Sequence, residues 1–414
     1  MEFSMKNILI LGAGTAGTMM ANKLHKVLPE QNWSITIIDQ NNEHIYQPGL
    51  LFLPFGLYEE KDLIRPRHRF IETGIEVILD CIDSVVPEKN TVYLKDGGTL
   101  SYDLLIVATG AEINPDLTEG LAEEYWHKNI FDFYTLAGAK ALATKLADFN
   151  NGRLVLNVVD MPIKCPVAPL EFLFLADEYF TKKGIREKIE IIYATPLDGA
   201  FTKPKSSALL SDLLSKKNIK LESNFNIEKV IGSKNKITSY DQREINYDIL
   251  VSIPLHNGIQ PIRDCSLSDE FGFVETDKHT LQSKRFPNVF SIGDATNLPA
   301  SKAGSVAHFQ AEVLTQNILD YINGRPLKER FDGHSNCFIE TGHGKAMLID
   351  FNYETEPLPG KFPLPVLGPF SLLQESEINH LGKLGFKWVY WNLLLPGKEL
   401  PLDHRMLMAG KWRD

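Results

Sequence analysis

Several features that mark other classes of protein are scarce in this sequence. It has 4 cysteines among 414 residues, at Cys81, Cys165, Cys265 and Cys337, and none forms a CxxC pair. Cysteines this few and this scattered exclude a disulfide scaffold, and they argue against a structural zinc site or a thioredoxin-type motif. The histidines likewise show no metal-ligand spacing, so we expect no bound metal.

Long apolar runs and an excess of positive charge are also missing. No apolar stretch approaches the roughly 18 residues that a membrane-spanning helix needs. The formal net charge of -10 would repel phosphates, so a nucleic-acid partner is not expected. The first residues run straight into an apolar segment without a small-residue cleavage site, and we therefore predict no cleavable signal peptide.

The sequence does contain a glycine-rich turn close to its beginning. Residues 7–11 (NILIL) form an apolar run typical of a strand buried on both faces, and Gly12-Ala13-Gly14-Thr15-Ala16-Gly17 follows at once. Such a turn before a helix lets the backbone approach a pyrophosphate. Asp39 ends the next predicted strand, where its carboxylate can accept hydrogen bonds from the ribose of an adenosine. The pattern predicts a dinucleotide site formed by Gly12, Gly14, Ala16, Gly17 and Asp39.

Two later segments favour FAD as that dinucleotide. Residues 102–110 (YDLLIVATG) read as a strand ending in Ala-Thr-Gly, and residues 289–295 (VFSIGDA) as a short strand ending in Gly-Asp. Together with the glycine turn they resemble the three fingerprints of the two-dinucleotide-binding-domain flavoproteins, the glutathione-reductase-like superfamily. The resemblance implies FAD as cofactor, with Asp294 near its ribityl and pyrophosphate part. It adds Thr109, Gly110 and Gly293 to the expected binding residues.

The place where such proteins bind NADH lacks the necessary residues. The predicted strand 153–159 is followed by residues 160–169 (DMPIKCPVAP), which contain three prolines and no glycine. Prolines remove backbone donors that a pyrophosphate would need. The following strand, 189–194, ends in Thr195-Pro196 rather than in an acid. We therefore expect no nicotinamide nucleotide here.

Cys165 lies in this glycine-free loop, just before a predicted helix. The helix dipole would favour its thiolate, which makes it a candidate nucleophile, and an inert buried thiol is the alternative. The surrounding residues 164–171 (KCPVAPLE) resemble the KCPPAPxE motif of sulfide:quinone oxidoreductases and of the flavoprotein subunit of flavocytochrome c sulfide dehydrogenase. Residues 46–50, 293–302 and 337–340 resemble further segments of sulfide:quinone oxidoreductases.

This resemblance implies a redox-active pair, Cys165 and Cys337, on one face of the flavin. Sulfide is then the electron donor and a membrane quinone the acceptor. Glu171 is expected to shuttle protons, with a solvated carboxylate at a helix start as the equal alternative. Tyr134 stands where some members carry a cysteine bonded to the flavin, so FAD is predicted to be held non-covalently.

The resemblance places further residues around the flavin. Lys302 would stabilise the reduced flavin or bind a quinone oxygen, with a surface lysine as the alternative. Gln47, Pro48 and Gly49 are expected near the isoalloxazine edge.

The C-terminal region is expected to reach the membrane. Residues 384–396 mix aromatic residues with lysine, which suits the interfacial zone, and the run is too short to span. Lys383 and Lys387 are expected to face lipid headgroups, whereas an ordinary amphipathic helix packed on the protein is the alternative. The candidate residues of the quinone path are Phe370, Phe386, Trp388 and Tyr390.

These observations predict an α/β protein with two Rossmann-like dinucleotide-binding domains and a C-terminal membrane-interacting region. The FAD-binding domain would comprise residues 1–115 and 271–325, the second Rossmann-like domain residues 116–270, and the quinone- and membrane-facing region residues 326–414. The predicted function is that of a sulfide:quinone oxidoreductase, peripheral on the cell membrane and compatible with a homo-oligomer. The alternatives are a type II NADH:quinone oxidoreductase, a flavocytochrome c sulfide dehydrogenase and a flavin-containing persulfide sensor.

Overall fold

The structure is a computed structural model that describes residues 5–400 and 402–412. Its strands in this part of the chain are β1 Lys6–Leu11, β2 Trp33–Asp39, β3 Glu43–Ile45, β4 Ile64–Pro66, β5 Glu76–Leu79, β6 Ile82–Val86, β7 Thr91–Leu94, β8 Thr99–Ser101, β9 Leu104–Val107, β10 Glu112–Asn114, β11 Ile130–Phe131, β12 Gly152–Val158, β13 Ile189–Ala194, β14 Ile219–Glu222, β15 Ile227–Ile231, β16 Lys236–Ser239, β17 Glu244–Asn246, β18 Ile249–Ile253, β19 Leu255–Asn257, β20 Val289–Ser291, β21 Ser335–Gly342, β22 Lys345–Phe351, β23 Gly360–Leu364, β24 Gly368–Leu372 and β25 Glu375–Ser376. Its α-helices there are α1 Thr15–Val27, α2 Glu60–Leu63, α3 Leu136–Asp148, α4 Ala168–Lys182, α5 Pro204–Lys216, α6 Gln260–Arg263, α7 Gly304–Ile322 and α8 Glu377–Val389.

The first sheet is built on the apolar run near the beginning of the chain. Its five strands are parallel and lie in the order β20-β9-β1-β2-β5. The central strand β1 is buried from Ile8 to Leu11, as expected for a strand covered on both faces. Strand order reverses between β1 and β9, and this switch point is where doubly wound sheets bind their ligands. The late strand β20 completes a sheet that the first residues began.

The second sheet is also parallel, with the order β11-β18-β12-β13-β14. Helix α4 follows β12 and contacts β12 and β13 of this sheet as well as β21 of the third. All its residues from Ala168 to Asp177 are buried. Because α4 is enclosed on several sides, the loop before it is held between the second sheet and the C-terminal region.

The third sheet is mixed and carries the last part of the chain. β21 and β22 are antiparallel, with Cys337 opposite Ile349, and β24 runs parallel to β22. Helix α8 packs on β21 and β22. Ser376 caps its N-terminus, since the Ser376 hydroxyl accepts a hydrogen bond from Asn379 N. A π-helical turn, Tyr390–Leu394, continues it.

Helix α8 turns its basic side chains inward and several apolar ones outward. His380 and Lys383 are 26 % and 14 % exposed, whereas Leu381 and Trp388 are 64 % and 61 % exposed. This is the reverse of a helix that packs its apolar face on a core. The expectation that Lys383 faces lipid headgroups is wrong, because its ammonium group is held inside by Glu171. Lys387 also points inward, 4.1 Å from the Tyr58 ring centroid.

Nowhere in residues 5–400 and 402–412 is there a helix with the length and apolar character needed to cross a bilayer.

Candidate active site

A cavity of about 700 Å³ connects the glycine turn with the third sheet. It lies at the carboxyl ends of β1 and β9, the switch point of the first sheet. Of the predicted site residues it is lined by Gly12, Gly14, Ala16, Asp39, Gln47, Pro48, Thr109, Gly110, Cys165, Glu171, Gly293, Asp294, Lys302, Cys337, Phe386 and Tyr390. A single space therefore contacts both the predicted dinucleotide turn and both candidate cysteines.

The glycine turn has the close backbone approaches that a pyrophosphate site needs. Gly12 has a φ of +92°, and a Cβ there would lie 2.6 Å from the Ala108 carbonyl oxygen. A Cβ on Gly17 would lie 1.8 Å from Gly12 O, so this glycine packs the turn rather than lining the cavity. A Cβ on Gly14 would meet nothing within 4 Å. The turn thus leaves its middle open to a ligand at the N-terminus of α1.

The acidic and hydroxyl groups around this turn also fit a dinucleotide. Asp39 Oδ2 accepts a hydrogen bond from Ala13 N at 2.7 Å, and Arg67 lies 3.1 Å from Oδ1. The hydroxyl of Thr109 is buried without a partner in the described structure. An unsatisfied buried hydroxyl on a cavity wall is accounted for by a polar ligand group. The residues present therefore fit FAD.

Lys302 is a buried residue, which excludes the surface alternative. Its ammonium group donates to Asp294 O at 2.9 Å and to Thr296 O at 2.6 Å. It also lies 3.9 Å from the ring centroid of Phe273. Burial lowers the pKa of Lys302 to about 8, and burial raises the pKa of Asp294. Lys302 is thus fixed by the turn that carries Asp294.

In the segment predicted at the isoalloxazine edge, residues 47–49, two residues line the cavity and the third supports them from behind. Gln47 and Pro48 line the cavity. Gly49 packs beneath them, since a Cβ there would lie 2.3 Å from Leu63 Cδ2. Gln47 Oε1 also accepts a hydrogen bond from Lys164 at 3.4 Å. This contact connects the segment to the loop that carries Cys165.

The Cys165 loop is tied to the residues that follow the Gly-Asp turn. Cys165 N donates to Lys302 O at 2.7 Å, and its carbonyl accepts from Ala168 N at 2.8 Å. The hydroxyl of Tyr134 lies 3.5 Å from the same carbonyl. The φ of Cys165 is +46°, a strained conformation for a residue with a Cβ and one that is found preferentially at functional sites. The main chain therefore fixes the backbone of Cys165 at the wall of the cavity.

Both candidate cysteines are free thiols on the cavity wall, with Cys165 partly buried and Cys337 buried. Burial, and after it the Glu171 carboxylate, raises the pKa of Cys165 to about 12. Burial and the neighbouring Cys165 raise the pKa of Cys337 further still. The prediction that the helix dipole favours the Cys165 thiolate is therefore wrong, because removal from water outweighs the dipole. As thiols, both groups stay protonated at neutral pH.

Glu171 is the centre of an ion pair that the sequence reasoning missed. Its side chain is 0 % exposed, which excludes the solvated alternative, and its Oε1 lies 2.8 Å from Lys383 Nζ. The same oxygen accepts a hydrogen bond from Glu340 N at 2.8 Å. Lys383 donates a further bond to Phe338 O at 3.1 Å. The available signal was a lysine between apolar positions on a C-terminal helix. The prediction that this helix contacts the membrane placed that lysine on its outer face.

The four aromatic residues predicted for the quinone path do not gather at one place. Phe386 and Tyr390 line the cavity. The buried Tyr390 hydroxyl bonds to Thr15 Oγ1 at 2.7 Å, next to the glycine turn. Phe370 packs against Phe338, which lines the cavity, with ring centroids 5.1 Å apart. Trp388 is exposed on the outer face of α8 and is not among the lining residues.

Comparison with known proteins agrees with the fold. Residues 6–156 match the family described as pyridine nucleotide-disulphide oxidoreductase. A mitochondrial sulfide:quinone oxidoreductase of Dictyostelium discoideum is 30 % identical over 398 residues, which cover 94 % of this chain and 86 % of that protein. The mitochondrial sulfide:quinone oxidoreductase of Mus musculus is 28 % identical over the same shares. The solved structure of the sulfide:quinone oxidoreductase from Aquifex aeolicus superposes with a TM-score of 0.78 at 20 % identity, covering 94 % of this chain and 92 % of that one.

These comparisons confirm the predicted α/β fold with its dinucleotide-binding sheets, and FAD as the cofactor. The domain boundaries and the roles of individual site residues stay predictions. The protein is an oxidoreductase, and the extent of the match to the Dictyostelium discoideum protein shows that the chain belongs to the sulfide:quinone oxidoreductase family.

Proposed function

We propose that the protein oxidises hydrogen sulfide and passes the electrons through FAD to a quinone. One observation carries the proposal: Cys165, in the loop before α4, and Cys337, on β21, line the same cavity, which also contacts the glycine turn. The loop that would bind NADH instead carries Cys165, and its amide is bonded to Lys302 O. Two cysteine sulfurs therefore lie beside the flavin site. One of them occupies the loop with which NADH-using flavoproteins would bind their nucleotide.

The chemistry starts from the oxidised cysteine pair, because hydrosulfide needs a sulfur–sulfur bond to attack. Hydrosulfide attacks the bond between Cys165 and Cys337, leaving a persulfide on one sulfur and a thiolate on the other. Joining these two sulfurs as a trisulfide releases one proton and two electrons. FAD, which the glycine turn, Asp39 and Asp294 would hold, would supply the two-electron redox chemistry that connects sulfide to the quinone. Repeated cycles lengthen the sulfur chain that leaves as product.

The reaction has a direct test in the colour of the flavin. Sulfide added without oxygen should bleach the purified protein, and decylubiquinone should then restore the colour, whereas NADH should leave the flavin oxidised. Bleaching by NADH but not by sulfide would overturn the proposal. Bleaching by sulfide without recovery on decylubiquinone would also overturn it and would favour a persulfide-binding protein.

We propose further that FAD is held without a covalent bond. Tyr134 lines the cavity where a cysteine would be needed, and its ring stacks on Phe133 with centroids 5.0 Å apart. A phenol offers no thiolate to bond the flavin. Acid precipitation should therefore release all the flavin into the supernatant, and flavin that stays in the pellet would contradict the idea.

The quinone would be reached from a membrane surface. The proposed apolar outer face consists of exposed side chains on the β23–β24 hairpin and on α8. Its members are Leu364, Val366, Leu367, Leu381, Leu384 and Trp388. Exposed leucine and tryptophan side chains on an amphipathic helix suit the interfacial zone of a bilayer. We infer a peripheral position on the cell membrane, and assembly into a homo-oligomer stays a prediction.

Removing apolar groups from this face should weaken binding to lipid vesicles. Leu381→Glu combined with Trp388→Glu replaces two side chains that are 64 % and 61 % exposed. Burying each of these apolar side chains in the interface stabilises membrane binding by on the order of 1.5 kcal/mol or more. The fraction of protein that floats with phosphatidylcholine vesicles should therefore fall at least about tenfold. Tyr240→Glu, at a side chain 72 % exposed in the turn between β16 and β17, should float as the unaltered protein does. A double variant that still floats would remove this face from the proposal.

A further inference from the structure

A line of ionisable side chains leads from the cavity towards solvent. Lys383 lines the cavity, and its Nζ lies 2.8 Å from Oε1 of the wholly buried Glu171. Glu340 donates its backbone N–H to that same oxygen. The Glu340 carboxylate, 1 % exposed, lies 2.9 and 3.0 Å from Nδ1 of His380. His380 is 26 % exposed, so the line ends at the surface.

Other ionisable groups on the packed elements interact with this line, among them Tyr46, Tyr58 and Cys165. Glu171 comes from α4, Glu340 from β21, and His380 and Lys383 from α8. Burial raises the pKa of Tyr58, which is also sensitive to the charges of Lys383 and Glu340. The charge of Lys383 is felt in turn by both cavity cysteines. Burial raises the pKa of Glu340 to about 7, against the opposing effect of its bond to His380.

The proposed reaction needs a proton that the substrates do not provide. Hydrosulfide gives two electrons and one proton when its sulfur becomes zero-valent. A quinone takes two electrons and two protons when it becomes a hydroquinone. Each turnover therefore draws one proton from solvent. Because Lys383 is 14 % and Glu171 0 % exposed, a proton that reaches this pair needs a defined entry.

We propose that Glu340 and His380 deliver this proton from solvent to the Lys383–Glu171 pair at the cavity. The inference rests on the proposed function and deepens it, since it names the proton donors of the quinone step. His380 exchanges protons with water and hands one to the Glu340 carboxylate through Nδ1. Glu340 lies within electrostatic range of both Lys383 and Glu171, and both of these residues line the cavity. No bond other than N–H and O–H is made or broken along this route.

His380→Ala separates this role from the sulfur chemistry. Bleaching of the flavin by sulfide should keep its rate, since both cysteines are untouched. Reoxidation by decylubiquinone should slow by on the order of 10²-fold, which is typical for loss of a positioned proton donor. The defect should grow as the pH rises through the pKa of Glu340, which lies higher in this variant because the lowering effect of His380 is lost. Added imidazole should restore the rate, which a purely structural loss would not allow.

Two further variants keep the test decisive. His380→Gln retains an amide that can donate to Glu340 but cannot relay a proton, so it should show the same slow reoxidation even if His380→Ala loses its flavin. His404→Gln is the control: His404 lies 3.2 Å from Glu329, both are 26 % exposed, and neither lines the cavity. It should reoxidise normally.

The outcomes for the relay and for the proposed function are distinct. Normal reoxidation of both His380 variants across the pH range would overturn the relay while leaving sulfide oxidation intact. A pH-independent loss without imidazole rescue would overturn it as well. Failure of sulfide to bleach the unaltered protein would instead overturn the proposed function.

Discussion

Cys165→Ser should lose bleaching of its flavin by sulfide and still carry the flavin. A serine hydroxyl cannot form the sulfur–sulfur bond that hydrosulfide attacks. Cys165 also contributes no group to the glycine turn, and its backbone contacts with Lys302 and Ala168 do not depend on the side chain. The rate of anaerobic bleaching in stopped flow should fall at least about 10³-fold, the order expected when an enzyme loses its nucleophile.

Cys337→Ser should show the same loss, because one cysteine alone cannot form the sulfur–sulfur bond that hydrosulfide attacks. Cys265→Ser serves as the matched control. Its sulfur donates to Ile262 O, and the residue is not among those lining the cavity. It should bleach at the rate of the unaltered protein. Bleaching of Cys165→Ser or Cys337→Ser at the normal rate would remove that residue from the proposed pair.

The sequence was sufficient to predict the structure wherever one short segment determines it locally. The apolar run before Gly12 could only be a buried strand, and the turn after it has the glycine contacts that the pattern requires. The glycine-free loop after β12 could be interpreted equally well, because prolines lack the backbone N–H donors that a nucleotide would need, whatever the surrounding fold. These local features account for the fold class and the cofactor.

The electrostatics of the site could not be read in the same way. The pKa of Cys165 depends on its burial and on Glu171, and burial arises from the packing of three sheets. Lys383 lies 212 positions from Glu171 in the chain, and no local pattern connects them. Helix α8 was predicted as an interfacial helix, but its spacing alone could not tell which face turns inward. The structure directs its basic face to the cavity.

Lys383→Met should destabilise the protein more than any other single change on α8. Burial alone would lower the pKa of Lys383, but the Glu171 carboxylate and Cys165 hold it above its usual value. Removing the ammonium group leaves a buried carboxylate with only the Glu340 amide as donor. Breaking a buried ion pair from one side costs about 3–5 kcal/mol, so the melting temperature followed by flavin fluorescence should fall by several degrees.

Adding Glu171→Gln to Lys383→Met should recover most of that loss, because the double variant buries no unpaired charge. Lys387→Met provides the control on the same helix. Its ammonium group lies 3.8 Å from Asp62, which is 39 % exposed, and such a pair contributes about 1 kcal/mol or less. Equal melting temperatures for the two single lysine variants would contradict the central position of the Glu171–Lys383 pair. If the double variant is stable but reoxidises slowly with decylubiquinone, the pair acts in proton delivery and not merely in holding α8 against α4.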